Sequence, residues 1–186
     1  MKTPAFWPEK GHLNLNQYYY IKTLVEGKNI EYALETGFHT GRSALSILNN
    51  CKNLKRMISI DNNFVHERKK LLEEKFPHFK GVESDSKLAL TEEFFETNYP
   101  EGIDYCLVDG DHSYYGCLSD LKLVLPHMKN GGLIVIDDYE SGPPDGCPIP
   151  EVTAACDHFY GENADKLSRE KWHKSGKGFC VFTIKE

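Results

Sequence analysis

No stretch of this chain approaches the roughly 18 consecutive apolar residues that a bilayer crossing needs. No pair among its six cysteines, at 51, 106, 117, 147, 156 and 180, has the C-x-x-C spacing of a zinc ribbon. Reduced thiols are therefore expected. The N-terminus, with Pro4, Trp7, Pro8 and Glu9, lacks the basic-then-apolar order of a secretory signal. These absences lead us to expect a soluble, cytoplasmic protein without a membrane partner. Positive charge is also scarce. With 22 Lys and Arg against 28 Asp and Glu, the net charge is −6, which argues against a nucleic-acid backbone as main partner. Local basic clusters do not change this, because Arg68, Lys69 and Lys70 are followed by Glu73 and Glu74, as on a solvated helix face. Internal repeats, low-complexity linkers and the dinucleotide fingerprint G-x-G-x-x-G are missing as well.

The 186 residues, 40% of them hydrophobic, suffice for one domain with a real core. The expected layout is a single domain, with an N-terminal helical or lid segment (1–29) and a core (30–186). The segment Tyr32-Ala-Leu-Glu-Thr-Gly-Phe-His-Thr-Gly-Arg-Ser-Ala-Leu45 organises the reading. An apolar strand ends in Glu35, turns through Gly37 and Gly41, and passes into a helix. Glycine lets a backbone approach a ligand closely, and the helix start offers unpaired N–H groups. Such turns also carry glycine for purely steric reasons.

Further apolar runs follow. Met57–Asp61, Gly81–Ser86, Ile103–Asp109 and Gly131–Asp137 read as strands, with helices expected near 13–26, 64–75, 88–95, 118–128 and 151–160. Pro126 should break the last turn of the fourth helix. The segment 171–184 suggests a hairpin turning at Ser175–Gly178. Alternating strands and helices call for a mostly parallel, doubly wound α/β sheet with helices on both faces.

Glu35, Asp61, Asp109 and Asp137 each close such a strand, and parallel strands bring their C-terminal ends to the ligand-binding edge. Any one of them could merely cap the following helix. Asp61, 26 residues past Glu35, can accept both hydrogen bonds of a ribose diol. Ser84, Asp85 and Ser86 can border an adenine, or form an ordinary polar turn. Asp109, Asp137 and Asp138 together would repel one another unless a divalent cation such as Mg²⁺ relieves them. Adjacent strand residues point to opposite faces, so Asp138 joins only where the strand has already ended.

Three segments carry a resemblance: Leu34–Ser43, Leu107-Val-Asp-Gly-Asp-His-Ser-Tyr114 and Gly131-Gly-Leu-Ile-Val-Ile-Asp-Asp-Tyr139. They resemble the class I S-adenosylmethionine-dependent methyltransferases, and more narrowly the small O-methyltransferases of the catechol, caffeoyl-CoA and macrocin type. The resemblance implies a Rossmann-like, seven-stranded sheet with an antiparallel C-terminal hairpin. It implies that Glu35, Thr36, Gly37 and Gly41 cradle the methionine portion of the cofactor, and that Ser43 supports the turn. Asp61 would take the ribose, Ser84 to Ser86 the adenine, and Asp109, Asp137 and Asp138 a metal. Asp109 would also border the cofactor.

One departure stands out. The lysine that catechol-type enzymes place near the first metal acid is absent between Ile103 and Asp120. Asp111 and His112 stand there as candidate proton acceptors, although His112 could simply hydrogen-bond a carboxylate. The expected activity is metal-assisted methylation of a small-molecule hydroxyl, with a homodimer left open. Loop 142–150, Trp7 and Tyr18–Tyr20 are candidate lids. The rivals are a metal-independent transferase using His112, a nicotinamide-dependent oxidoreductase (disfavoured by the glycine spacing), and a cofactor-binding protein without catalysis.

Overall fold

The computed structural model describes residues 2–186. A seven-stranded sheet has the order β3-β2-β1-β4-β5-β7-β6. Its parallel part comprises β1 (Tyr32–Thr36), β2 (Arg56–Asp61), β3 (Phe79–Glu83), β4 (Ile103–Val108) and β5 (Met128–Asp137). The hairpin β6 (Leu167–Lys174) and β7 (Lys177–Ile184) adds two antiparallel strands, with β7 against β5. This is the Rossmann-like arrangement expected from the sequence. The hairpin begins four residues earlier than expected, because β6 presents mostly charged side chains to solvent and carries little apolar signal.

Strand alternation divides the core. Leu34, Ile58, Cys106 and Ile134 face α5 (Glu92–Asn98), α6 (Tyr114–Val124) and α7 (Pro150–Asn163), meeting Phe95, Leu121 and Phe159. Ala33, Met57, Tyr105 and Val135 face α1 (Leu15–Val25), α2 (Arg42–Leu48) and α3 (His66–Lys75), meeting Ile21, Leu45 and Leu72. The highly charged α3 has Leu72 as its one fully buried side chain, worth roughly 2 kcal/mol of transfer energy. Local signals fix the helix starts. Asn14 and Gln17 form a reciprocal capping box on α1, and Ser113 caps α6.

Two expectations need correction. The single helix expected near 88–95 is two short ones, α4 (Ser86–Ala89) and α5, because Thr91 accepts the Phe94 N–H and opens a new helix. The helix expected to reach Met128 stops at Val124, and Leu125–His127 forms a 3₁₀ turn around Pro126. The cysteines are all free thiols, as expected.

Candidate active site

Register places the acids. Thr36 pairs with Ile60 on one side and Val108 on the other, and Val108 pairs with Ile136. One residue further on, Gly37, Asp61, Asp109 and Asp137 form a row across the C-terminal edge of the sheet. Glu35 lies two residues short of that row, beside Ser59 and Leu107. The four acids expected at one edge are therefore three at the edge and one beneath it.

A cavity of about 690 Å³ opens over this edge. It is lined by Thr36, Gly37, Ser43, Asp61, Ser84, Asp85, Ser86 and Asp109 from the expected cofactor set, and by Asp111, His112, Asp137 and Asp138 from the expected acceptor side. Glu35 and Gly41 lie outside the lining. Glu35 is fully buried under the glycine turn and accepts from Ser59 Oγ. It sits beneath the turn, in the sheet, rather than on the cavity wall. Gly41 serves geometry. With φ +74, it starts α2 where a Cβ would strike the Phe38 ring at 2.6 Å. Gly37 is tighter still, since a Cβ there would meet the Asp109 carbonyl oxygen at 2.0 Å.

Asp61 organises the turn. Its Oδ2 accepts the N–H groups of Phe38 and His39 at 2.7 and 2.9 Å, and its Oδ1 accepts that of Asn63. Asp85 caps α4 by accepting the Lys87 N–H, while Ser86 Oγ donates to the buried Asp120 at 2.7 Å. The polar turn is thus an ordinary capping turn that also forms part of the cavity wall.

At the other end the strand β5 stops at Asp137, and Asp138 takes φ +57, the left-handed region. That bend lifts the alternation objection and brings Asp138 towards Asp109. Asp109 Oδ1 is 3.1 Å from His112 Nε2, and Asp138 Oδ2 is 3.9 Å from the same nitrogen. Donor atoms of Asp109, His112 and Asp138 all lie within 4.8 Å of one another. Asp138 Oδ1, buried, has no hydrogen-bond partner among the described residues. Two carboxylates and an imidazole suit a divalent cation, with Asp138 Oδ1 left without a hydrogen bond among those residues. Asp137, expected among the metal ligands, is not in this cluster. Its Oδ1 is taken up by Gln17 Nε2 at 2.7 Å and by the Asp138 N–H at 2.8 Å.

Electrostatics separate the two candidate bases. The hydrogen bond to Asp109 holds His112 up to about 9 against the opposing effect of burial. Asp111 is instead held below the usual carboxylate range, first by the Ser113 N–H and also by Lys87 at 3.1 Å. An anchored, ionised Asp111 makes a weak base. Desolvation raises Asp109 and pushes Asp137 well above the usual range, which His112 partly relieves at Asp109.

Sequence reasoning missed Lys177. It is only 8% exposed, lines the cavity, and places Nζ 3.5 Å from Asp138 Oδ1. The pairing of Asp137 with Phe179 delivers it, so its signal lay in a strand register that spacing does not disclose. Gln17, Asp120, His12 and Lys87 were missed as well, because helix and loop packing between segments distant in sequence brings them there. From the candidate lids, Cys147 and Ile149 of loop 142–150 reach the cavity. Trp7 and Tyr18 pack on each other, and Tyr20 stacks on Trp172.

A three-layer α/β sheet of this order, with a glycine turn and acids at its carboxyl edge, defines a Rossmann-like methyltransferase fold. The family profile described as "Methyltransferase domain" matches residues 34–139, and the chain belongs to that family. An uncharacterized protein of Acanthamoeba polyphaga mimivirus is 30% identical over 135 residues, which is 69% of this chain and 60% of that protein. The chain thus spans about 60% of the length of this curated relative. Among solved structures, an O-methyltransferase from Bacillus cereus in complex with S-adenosylhomocysteine (SAH) superposes with TM-score 0.72 at 14% identity, covering 95% of this chain and 84% of that one. The O-methyltransferase TomG from Streptomyces achromogenes, in complex with S-adenosylmethionine (SAM), superposes with TM-score 0.70 at 15% identity, covering 94% and 82%. At these identities the likeness concerns the fold. Among the described residues no helix is long and apolar enough to cross a membrane.

Proposed function

We propose that the protein transfers the methyl group of SAM to a hydroxyl of a small molecule, assisted by a divalent cation held by Asp109, His112 and Asp138. The observation that carries this reading is the row Gly37, Asp61, Asp109 ending in a compact donor cluster, all on one wall of a ligand-sized cavity. Asp61 and the Ser84–Ser86 turn hold the nucleoside end. Gly37 lets the turn itself lie against the Asp109 backbone, which keeps the cavity wall open to the cofactor. Attack on a sulfonium methyl is in-line, so the chain acts chiefly by positioning two reactants. A bound cation would polarise the acceptor oxygen and lower its pKa. An imidazole in the donor set favours a first-row transition-metal ion over the Mg²⁺ expected from carboxylates alone, and Mn²⁺ is the member of that row that also suits carboxylates. Cys147 and Ile149 border the cavity from loop 142–150.

A second reading rests on the Asp109–His112 contact at 3.1 Å. There His112 Nε2 takes the acceptor proton without metal, and Asp109 stabilises the imidazolium. Nε2 cannot ligate and accept a proton at once, so the two readings exclude each other. Calorimetry with SAH, with and without Mn²⁺ or Mg²⁺, on wild type and Asp109→Asn tests the first. It expects metal-enhanced SAH binding that Asp109→Asn abolishes. Methyl transfer surviving exhaustive chelation selects the second. SAH binding with no transfer to a broad phenol and sugar panel at saturating metal leaves a binding protein.

A further inference from the structure

The N-terminal segment is strapped across the start of α2 by one side chain. Arg42 gives Nε to Pro8 O, Nη1 to Gly11 O and Leu13 O, and Nη2 to Pro8 O and Glu9 O. That commits all five guanidinium N–H groups. The Trp7 ring lies 4.8 Å from the same guanidinium, and Arg68 reaches back to Phe6 O. Gly11 presses so closely on this seam that a Cβ would meet Thr40 Oγ1 at 2.5 Å. The strap ends at His12 and Leu13, both on the cavity wall. There the His12 ring sits 4.6 Å from the ring of His39, a residue held at φ +47 in the glycine turn. Neither imidazole hydrogen-bonds to another group among the described residues, and both line the cavity.

A cofactor with an amino-acid arm brings a carboxylate into a cavity that Asp61, Asp109, Asp111, Asp137 and Asp138 make acidic. It needs hydrogen-bond donors, and a neutral imidazole offers one N–H. Arg42 is fully committed to the strap, while His112 and Lys177 face Asp109 and Asp138 at the far end. Beside the glycine turn the two free imidazoles remain as side-chain donors, next to the N–H groups at the start of α2. We infer that His12 and His39 together bind the carboxylate of the cofactor's methionine arm, so that the N-terminal strap is a wall of the cofactor site. This rests on the SAM reading above and assigns a specificity role to a segment outside the region of the family match.

Calorimetry on the full chain with three ligands tests it: SAH, its decarboxylated analogue, and 5′-methylthioadenosine, which lacks the whole arm. The variants are His12→Ala and His39→Gly, the latter because glycine accepts the left-handed backbone without strain. Each variant is expected to weaken SAH about tenfold, the worth of a charge-assisted hydrogen bond, and to leave the other two ligands within about twofold. Unchanged SAH affinity in both variants, or equal weakening of all three ligands, overturns the inference. A wild type that binds SAH no tighter than the decarboxylated analogue also overturns it but leaves the cofactor reading standing. A wild type that binds none of the three overturns both.

Discussion

Glu35 sits fully buried in β1, with Ser59 Oγ on its Oε2 and no hydrogen-bond partner for Oε1 among the described residues. Burial pushes its pKa from 4.5 up to about 8, against the lowering effect of Ser43 and Ser59. At neutral pH the carboxyl is therefore protonated in the folded chain and ionised in the unfolded one. Between these two values the native state holds the extra proton, so stability falls as pH rises from 4.5 towards 8 and levels off beyond. The difference, about 8 less 4.5, is about 3.5 units; at about 1.4 kcal/mol each, this gives a ceiling near 5 kcal/mol. Glu35→Gln keeps the shape and removes the titration. Urea unfolding of both proteins from pH 5 to pH 9 should show the wild type losing on the order of 2–5 kcal/mol relative to the variant. Taking the difference removes the contribution of every other group common to both, including Asp137. If the two curves run parallel across this range, Glu35 titrates normally and its burial has been misjudged.

Lys177→Met removes the cation 3.5 Å from Asp138 Oδ1 and leaves a buried carboxylate without it. Without added metal the melting temperature should drop by roughly 2–6 °C, while Mn²⁺ binding measured calorimetrically tightens roughly tenfold; weaker Mn²⁺ binding would mean that Lys177 does not compete with the ion. In Gly37→Ala a methyl lands 2.0 Å from the Asp109 carbonyl oxygen at a residue with φ +85, so unfolding free energy should fall by about 2 kcal/mol or more and SAH binding should be lost. Near-native SAH affinity would place the cofactor elsewhere. Asp111→Asn should leave methyl transfer within about threefold, because Asp111 is held ionised by Ser113 and Lys87, whereas His112→Ala should lower it about a hundredfold or more. The reverse ranking in initial-rate assays would return the proton-acceptor role to Asp111.

What the sequence disclosed and what it withheld follow one physical line. Strand ends were legible because a continuous apolar run such as Gly131–Asp137 stops where the strand gives way to a polar turn at the sheet edge. The row Asp61, Asp109, Asp137 follows from that alone, since parallel strands end at a common edge. Glu35 misled because it also ends an apolar run, yet the strand continues through Thr36 before the turn at Gly37; only the pairing with Ser59 exposes the offset. The candidate metal donors divide the same way. Asp109 and Asp138 were readable as strand-tip acids, but exchanging Asp137 for His112 depends on a left-handed bend at Asp138 and on Gln17, 120 residues away, claiming Asp137. Lys177 lies further still from the motif it serves, on an antiparallel strand whose register a hairpin fixes. Local chemistry is thus written in local sequence, whereas the charge balance of the site is set by partners that only the sheet brings together. A reading of motifs alone finds the acids and His112 but misses Lys177, and only the fold sets His112 against Asp109 and Lys177 against Asp138.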